Sequence, residues 1–236
     1  MLPIAILAGG LATRLRPATE KIPKALIDIN GEPFIAHQLR LLQAAGAERV
    51  VICIGHLGDS IREFVGDGRR FGLKAEYSPD GPELRGTAGA IRNALPQLGE
   101  EFFVLYGDSY LPCDYQAVER AYLGSGQQGL MTVFRNLNQW EKSNVEFVEG
   151  RIVQYEKRLA TPRMEYVDYG LSIFQQSALA TCGVPATDLA TVFQELIAGR
   201  KLAGFEVKDR FYEVGSWNGI QTLRAHLSPA ATTTCI

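Results

Sequence analysis

PIAILAGGLATRLRPATEKIPKAL, residues 3–26, is the stretch whose reading decides the fold. Its apolar run Pro3 to Leu7 stops at Ala8-Gly9-Gly10, the pattern of a buried strand that ends in a glycine loop. Without a Cβ, such glycines let backbone N–H groups approach a phosphate chain, and successive amides form an anion nest. The same segment carries Arg14, Arg16, Lys21 and Lys24 against one acid, Glu20, a balance that suits a triphosphate better than a dinucleotide. Neither G-x-x-x-x-G-K-[ST] nor G-x-G-x-x-G is present, so a P-loop and a Rossmann fingerprint both match poorly.

Working outward, apolar runs and helical periodicities alternate. A helix is expected from Pro33 to Ala45, closed by Gly46, and a strand from Val50 to Ile54. Then come a helix around Ser60 to Val65, a strand near Leu73 to Tyr77, a helix from Thr87 to Leu95 closed before Pro96, and a strand Phe102 to Tyr106 ending in Gly107-Asp108. This alternation predicts an α/β fold, a Rossmann-like and mainly parallel sheet with helices on both faces. The second half reads as a smaller, irregular β-rich portion. Strands are expected at Leu130 to Phe134 and Val167 to Phe174, a hairpin at 145–147 and 151–155 turning on Glu149-Gly150, and a helix from Asp188 to Ala198. One domain over residues 1–227 is expected, with a disordered tail over 228–236.

Composition narrows the classes. Twenty-four Lys plus Arg face 26 Asp plus Glu, a net charge of −2, which argues against a strongly basic nucleic-acid binder. Hydrophobic residues make up 46%, enough for a sizeable core without staples. Cys53, Cys113, Cys182 and Cys235 are scattered, giving neither a zinc pattern nor a disulfide framework. The amino terminus reads as a strand rather than a signal peptide, and no stretch is long and apolar enough for a membrane span, so a cytoplasmic setting without membrane partners is expected. His37, His56 and His226 have no spacing that suggests catalysis, and Trp140 and Trp217 read as packing residues rather than sugar platforms.

Gly9-Gly10-Leu11-Ala12-Thr13-Arg14-Leu15, then Pro17 and Thr19, then Pro23-Lys24, resemble the signature of sugar-1-phosphate nucleotidylyltransferases. Further segments carry the resemblance along the chain: Asn30-Gly31-Glu32-Pro33-Phe34-Ile35, Leu84-Arg85-Gly86-Thr87-Ala88-Gly89-Ala90, Asp108 after its strand, Glu156-Lys157, and Tyr212-Glu213-Val214-Gly215-Ser216-Trp217. The resemblance implies the nucleotide-diphospho-sugar transferase fold, with Leu7, Ala8, Gly9, Gly10, Thr13, Arg14, Lys24, Gly86, Thr87 and Ala88 around the nucleotide. It also implies Mg²⁺ on Asp108 and Glu213, and Asn144, Glu156, Lys157 and Asp168 around the sugar phosphate. Two positions depart from the pattern. Ala12 stands where the signature has glycine, and Glu213 replaces an aspartate, keeping the oxygen donor on a longer arm. Residue by residue, Asp108 also suits a turn or helix cap, Lys157 a solvated edge, and Asn144 and Asp168 turn positions.

What the resemblance implies chemically is transfer of a nucleotidyl group from an NTP to a sugar 1-phosphate with release of pyrophosphate. Arg14, Lys24 and Lys157 are then the catalytic cations, and no protein nucleophile is needed. Ser143-Asn144-Val145-Glu146-Phe147, Tyr155-Glu156-Lys157 and Tyr166 to Gly170 most resemble the guanylyltransferases acting on heptose 1-phosphates, which points to GTP and to an NDP-sugar destined for a cell-surface polysaccharide. A homo-oligomer is compatible with this reading. The competing expectations are a metal-dependent GT-A-type glycosyltransferase, disfavoured because Asp108-Ser109-Tyr110 lacks the second acid of a DxD motif, and a non-catalytic nucleotide-sugar-binding regulatory protein.

Overall fold

The computed structural model describes residues 1–11, 15, 17, 19–81, 85–157, 159–180 and 188–228. Thr13, Arg14, Ala12, Cys182, Cys235 and the expected tail beyond Ser228 therefore lie outside the described residues.

In chain order the strands are β1 (Ile4–Leu7), β2 (Asp28–Ile29), β3 (Glu32–Pro33), β4 (Arg49–Ile54), β5 (Lys74–Pro79), β6 (Glu101–Tyr106), β7 (Ser109–Tyr110), β8 (Gly129–Arg135), β9 (Val145–Val148), β10 (Arg151–Tyr155), β11 (Tyr166–Gln175), β12 (Leu202–Val207) and β13 (Tyr212–Glu213). The helices are α1 (Phe34–Ala44), α2 (Gly58–Val65), α3 (Gly86–Leu98), α4 (Tyr115–Ser125), α5 (Gln176–Ala180), α6 (Leu189–Ala198) and α7 (Trp217–His226).

Nine strands form one sheet in the order β5-β4-β1-β6-β11-β8-β12-β10-β9. The parallel portion expected from the alternating first half is β5-β4-β1-β6, in which Leu7 of β1 lies level with Cys53 on one side and Tyr106 on the other. Beyond it the sheet is mixed, because β11 runs antiparallel to both β6 and β8 while β12 returns parallel to β8. The β-rich portion is thus a continuation of the same sheet. Strands with both faces covered read as continuous apolar runs, and β4 and β6 do so; residues 50–54 and 102–105 are buried.

Two large apolar clusters cover the sheet. One packs α1, α2 and α4 over Ile4, Ile6, Val50, Ile52 and Phe103, and the other packs α3 and α6 over Ala5, Val51, Cys53, Phe102 and Val104. The alternation of β1 decides which cluster each side chain joins. A third cluster, Leu15, Ile29, Phe34, Val214, Ile220 and Leu223, anchors α7.

One helix end and the tryptophans differ from expectation in ways that matter. Helix α3 does not stop before Pro96 but carries it inside and ends at Leu98, which is 1% exposed. Proline in the last turn forfeits one backbone bond, and burial of Leu98 offsets that loss. Both tryptophans are more than half exposed, Trp140 at 51% and Trp217 at 53%, so neither is a core packing residue.

Candidate active site

The carboxyl ends of β1 and β6 open into a cavity of about 270 Å³. Strand β1 has β4 on one side and β6 on the other, so the chain leaves it in opposite directions, and such a switch point is where open α/β sheets form crevices. Leu7, Ala8, Gly9, Gly10, Lys24, Gly86, Thr87 and Asp108 line this cavity, which gathers seven of the ten residues expected around a nucleotide. Thr13 and Arg14 lie outside the described residues, and Ala88 does not line this cavity: it is a fully buried residue of α3, on the face turned to the core.

Glycine is required where backbones meet. A Cβ on Gly107 would run into the carbonyl of Leu7, because the two strand ends converge there and the Gly107 N–H donates to that same oxygen at 3.0 Å.

Lys24 opens a 3-10 turn, Lys24–Leu26, entered through Pro23 with its extended backbone. From there its ammonium reaches Asp108 at the end of β6, Nζ to Oδ2 2.8 Å, with the two side chains 19% and 31% exposed. Asp80, at the floor of this cavity, escaped sequence reading. It is 5% exposed, its Oδ1 has no partner, and burial pushes its carboxyl above the ordinary range although the Arg85 N–H opposes the shift. Only the pairing of Ser-Pro-Asp-Gly with a strand end hinted at it.

A second cavity, of about 840 Å³, shares Thr87, Tyr106 and Asp108 with the first and contains Asn144, Lys157, Asp168 and Glu213. Asp168 is the best-tied of these. Its Oδ2 accepts from the hydroxyls of Tyr106 (3.3 Å) and Tyr155 (3.1 Å), and its Oδ1 from the Gly170 N–H (3.1 Å). Burial nonetheless raises the Asp168 carboxyl above its usual range, outweighing the Gly170 N–H, the Lys157 charge and the two hydroxyls. Asn144 is a clamp: its Oδ1 accepts from the Asp168 N–H at 3.0 Å and its carbonyl from the Glu156 N–H at 2.9 Å. Glu156 itself lines neither cavity.

Lys157 Nζ lies 3.3 Å from Asp188 Oδ1. Asp188 caps α6 by accepting from the Ala190 N–H, and Thr87 Oγ1 donates to it at 3.3 Å while accepting from the Leu189 N–H at 2.8 Å. Burial works against ionisation of Asp188, yet the Ala190 N–H and Lys157 hold its carboxyl below the ordinary range. Thr87 and Lys157, expected on opposite substrates, are therefore joined through one carboxylate that the sequence marked only as a helix start.

Asp108 and Glu213 are brought together by the β7–β13 pairing. Glu213 faces Ser109 in register, and the Val214 N–H donates to the Asp108 carbonyl at 2.9 Å. Glu213 folds its carboxylate onto the start of α7, accepting from the Gly215 N–H and from Ser216 Oγ at 2.5 Å. Asp108, in the turn before β7, and Glu213, on β13, offer an all-oxygen donor pair, the kind that suits a hard divalent ion completing its shell with water and phosphate oxygens. No group of three or more His, Cys, Asp and Glu suited to a metal occurs among the described residues. Nor, among them, does any helix have the length and apolarity to cross a membrane.

The chain is 41% identical over 113 residues to an N-acetylmuramate alpha-1-phosphate uridylyltransferase of Neisseria meningitidis, covering 48% of this chain and 49% of that one. It is 26% identical over 218 residues to a mannose-1-phosphate guanylyltransferase catalytic subunit beta of Xenopus tropicalis, covering 89% and 60%. The chain thus spans about half to three fifths of the length of these curated relatives. Among solved structures, UDP-glucose pyrophosphorylase from Acinetobacter baumanii superposes with a TM-score of 0.82 at 16% identity, covering 99% of this chain and 95% of that one. HddC from Yersinia pseudotuberculosis, complexed with GMP-PN, does so with a TM-score of 0.77 at 22% identity, covering 97% and 100%. These likenesses establish the nucleotide-diphospho-sugar transferase fold. A family description, Nucleotidyl transferase, matches residues 4–227, nearly the whole of the chain, which therefore belongs to the nucleotidyl transferase family.

Proposed function

We propose that this protein transfers a nucleotidyl group from an NTP to a sugar 1-phosphate, forming an NDP-sugar and pyrophosphate. The observation that carries the reading is the junction of the two cavities at Asp108, Tyr106 and Thr87: a glycine-walled cavity adjoins a polar one, with Lys24 reaching their shared wall. An acceptor phosphate oxygen in the larger cavity attacks the α-phosphorus of the nucleotide, the new P–O bond forms, and the bond to the β-phosphate oxygen breaks with its electron pair leaving on pyrophosphate. No proton has to move, so catalysis reduces to positioning and charge neutralisation.

In this reading Lys24 leaves Asp108 for the growing charge on the α-phosphate, Lys157 leaves Asp188 for the attacking phosphate, and Arg14 clamps the departing pyrophosphate with its planar fork. Gly9 and Gly10 offer their amides to the nucleotide, Asn144 and Asp168 meet sugar hydroxyls, and the buried Asp80 sits under the base. Asp108 and Glu213 would hold Mg²⁺, which when bound supplies Lewis acidity and a template for phosphate oxygens. A guanosine nucleotide and a heptose or related sugar 1-phosphate are the proposed pair; the names of the relatives make uridine and thymidine nucleotides the competing outcomes. Consumption of an NTP suits a cytoplasmic enzyme.

Pyrophosphate release measured for four NTPs against a panel of sugar 1-phosphates tests the reading. Turnover with a guanosine pair supports it in full, and turnover only with UTP replaces the base. A binding-only protein is favoured by one observation: both acids of the oxygen pair already hold internal partners. It would bind NDP-sugar and release no pyrophosphate from any pair.

A further inference from the structure

Arg210 enters the larger cavity between two aromatic faces. Its guanidinium carbon lies 3.6 Å from the ring centroid of Trp140 and 5.1 Å from that of Tyr212, and Tyr212 is stacked in turn on His226 at 4.2 Å. Rings on the faces of a guanidinium leave its N–H edge in the plane, free to meet an anion with two parallel bonds. Among the described residues nothing answers the group: its Nε is buried without a hydrogen-bond partner, and its outer nitrogens make neither a hydrogen bond nor an ion pair there. By contrast, Asp108, Asp168 and Glu213 in the same cavity are each held by donors. The acids are answered and the arginine is not.

The loop that presents Trp140 is built rather than slack. Asn136, fully buried, accepts from the Trp140 N–H at 3.2 Å and donates to Ser143 Oγ at 3.2 Å, while Asn138 accepts from the Ser143 N–H at 2.9 Å. Leu137 and Asn138 both take left-handed backbone to close it, with φ of 49° and 58°. A rigid loop holding an exposed indole over a guanidinium fixes the arginine before any ligand arrives, so less entropy is lost on binding.

We propose that Arg210 is an anion receptor of the acceptor cavity, and that the acceptor is a sugar 1-phosphate bearing a second anionic group, a carboxylate or a further phosphate, which Arg210 takes while Lys157 takes the 1-phosphate. The inference rests on the acceptor cavity of the proposed function, deepens it by naming the substrate class, and has a readout independent of turnover.

Calorimetric titration of the whole chain at near-physiological salt compares three acceptors on one ring: a neutral hexose 1-phosphate, the matching uronic acid 1-phosphate, and the matching 1,6-bisphosphate, in gluco and manno series. At least one doubly anionic acceptor is expected to bind tenfold or more tighter than its neutral counterpart, and which of the two does so identifies carboxylate or phosphate. In Arg210→Gln this preference should fall to near unity, and in Arg210→Lys, which keeps the charge but loses the fork, to an intermediate ratio. If Arg210→Gln does not fold, the Lys variant decides by whether the ratio drops at least threefold. Equal binding of all three acceptors, absence of binding, or a preference unchanged by the substitution overturns the proposal. Absence of pyrophosphate release with every pair would instead sink the proposed reaction, and the two failures are read separately.

Discussion

Lys24 and Asp108 share an ion pair, Nζ to Oδ2 2.8 Å, that ties the segment after the glycine loop to the end of the central strand β6. Both side chains are partly exposed, so the pair contributes under about 1 kcal/mol to stability. Its value is in placement. Lys24→Ala is expected to fold with nearly the parent unfolding midpoint and to lose about 100-fold or more in kcat, the order seen when one preorganised charge donor is removed. Steady-state pyrophosphate release checks it; a variant at the parent rate removes Lys24 from the reaction.

Lys157→Ala should act on the other substrate. Loss of a charge-assisted contact of about 1.5–3 kcal/mol raises the KM for sugar 1-phosphate roughly 10- to 100-fold, with the KM for NTP little changed. Equal effects on both Michaelis constants would contradict the division of the cavities.

Two glycines separate folding from binding. Gly107→Ala puts a methyl against the Leu7 carbonyl and is expected to cost about 1–3 kcal/mol in urea unfolding. At Gly10 a Cβ meets nothing within 4 Å. Gly10→Ala should therefore keep stability within about 0.5 kcal/mol yet weaken nucleotide binding, read by titration with a non-hydrolysable NTP.

Asp168 gives a pH signature. Its folded carboxyl lies above the usual value of 3.8, so the folded state holds the proton more tightly than the unfolded one. The associated stability is present at low pH and is lost as pH rises through the folded value. Relative to Asp168→Asn, the parent protein should lose ground as pH rises from below about 4 toward 7, followed by denaturant unfolding. A constant difference across that range would mean that Asp168 titrates normally.

Cys53 and Cys113 are both pushed up to about 12, chiefly by burial. The thiolate is the reactive form, so at about pH 8 neither peptide should carry an alkylating label in the native protein, and both should after unfolding. Mass mapping of the adducts distinguishes them from Cys182 and Cys235.

Much of the parallel half was legible because its strands are continuous apolar runs ended by glycine, as at Leu7-Ala8-Gly9 and Tyr106-Gly107. The short strands β2, β3, β7 and β13 and the helix α5 were not, and nor were three longer elements. Strand β12 contains Gly204, which breaks an apolar pattern; a Cβ there would collide with the Phe147 ring, so the glycine serves packing across the sheet. Helix α4 has only three fully buried positions, and its start is marked by a single cap, Asp114, which accepts from the Ala117 N–H. Helix α7 starts Trp-Asn-Gly, poor formers held by Ser216 as cap and by Ile220 and Leu223 in their own small cluster. At the site, motif residues were legible singly. Their partners were not, since Asp188, Tyr106, Tyr155 and Arg210 meet the others only through the fold.

The antiparallel insertion of β11 between β6 and β8 sets a problem for the ribosome. Strands β1, β4, β5 and β6 have all left the exit tunnel long before Tyr166–Gln175 is made. During that interval the outer edge of β6, with Phe102, Phe103 and Leu105 in its length, is an unpaired and apolar template for other nascent chains. Production of this protein at slow elongation rates is therefore expected to increase aggregation, and extra copies of a holdase chaperone to relieve it.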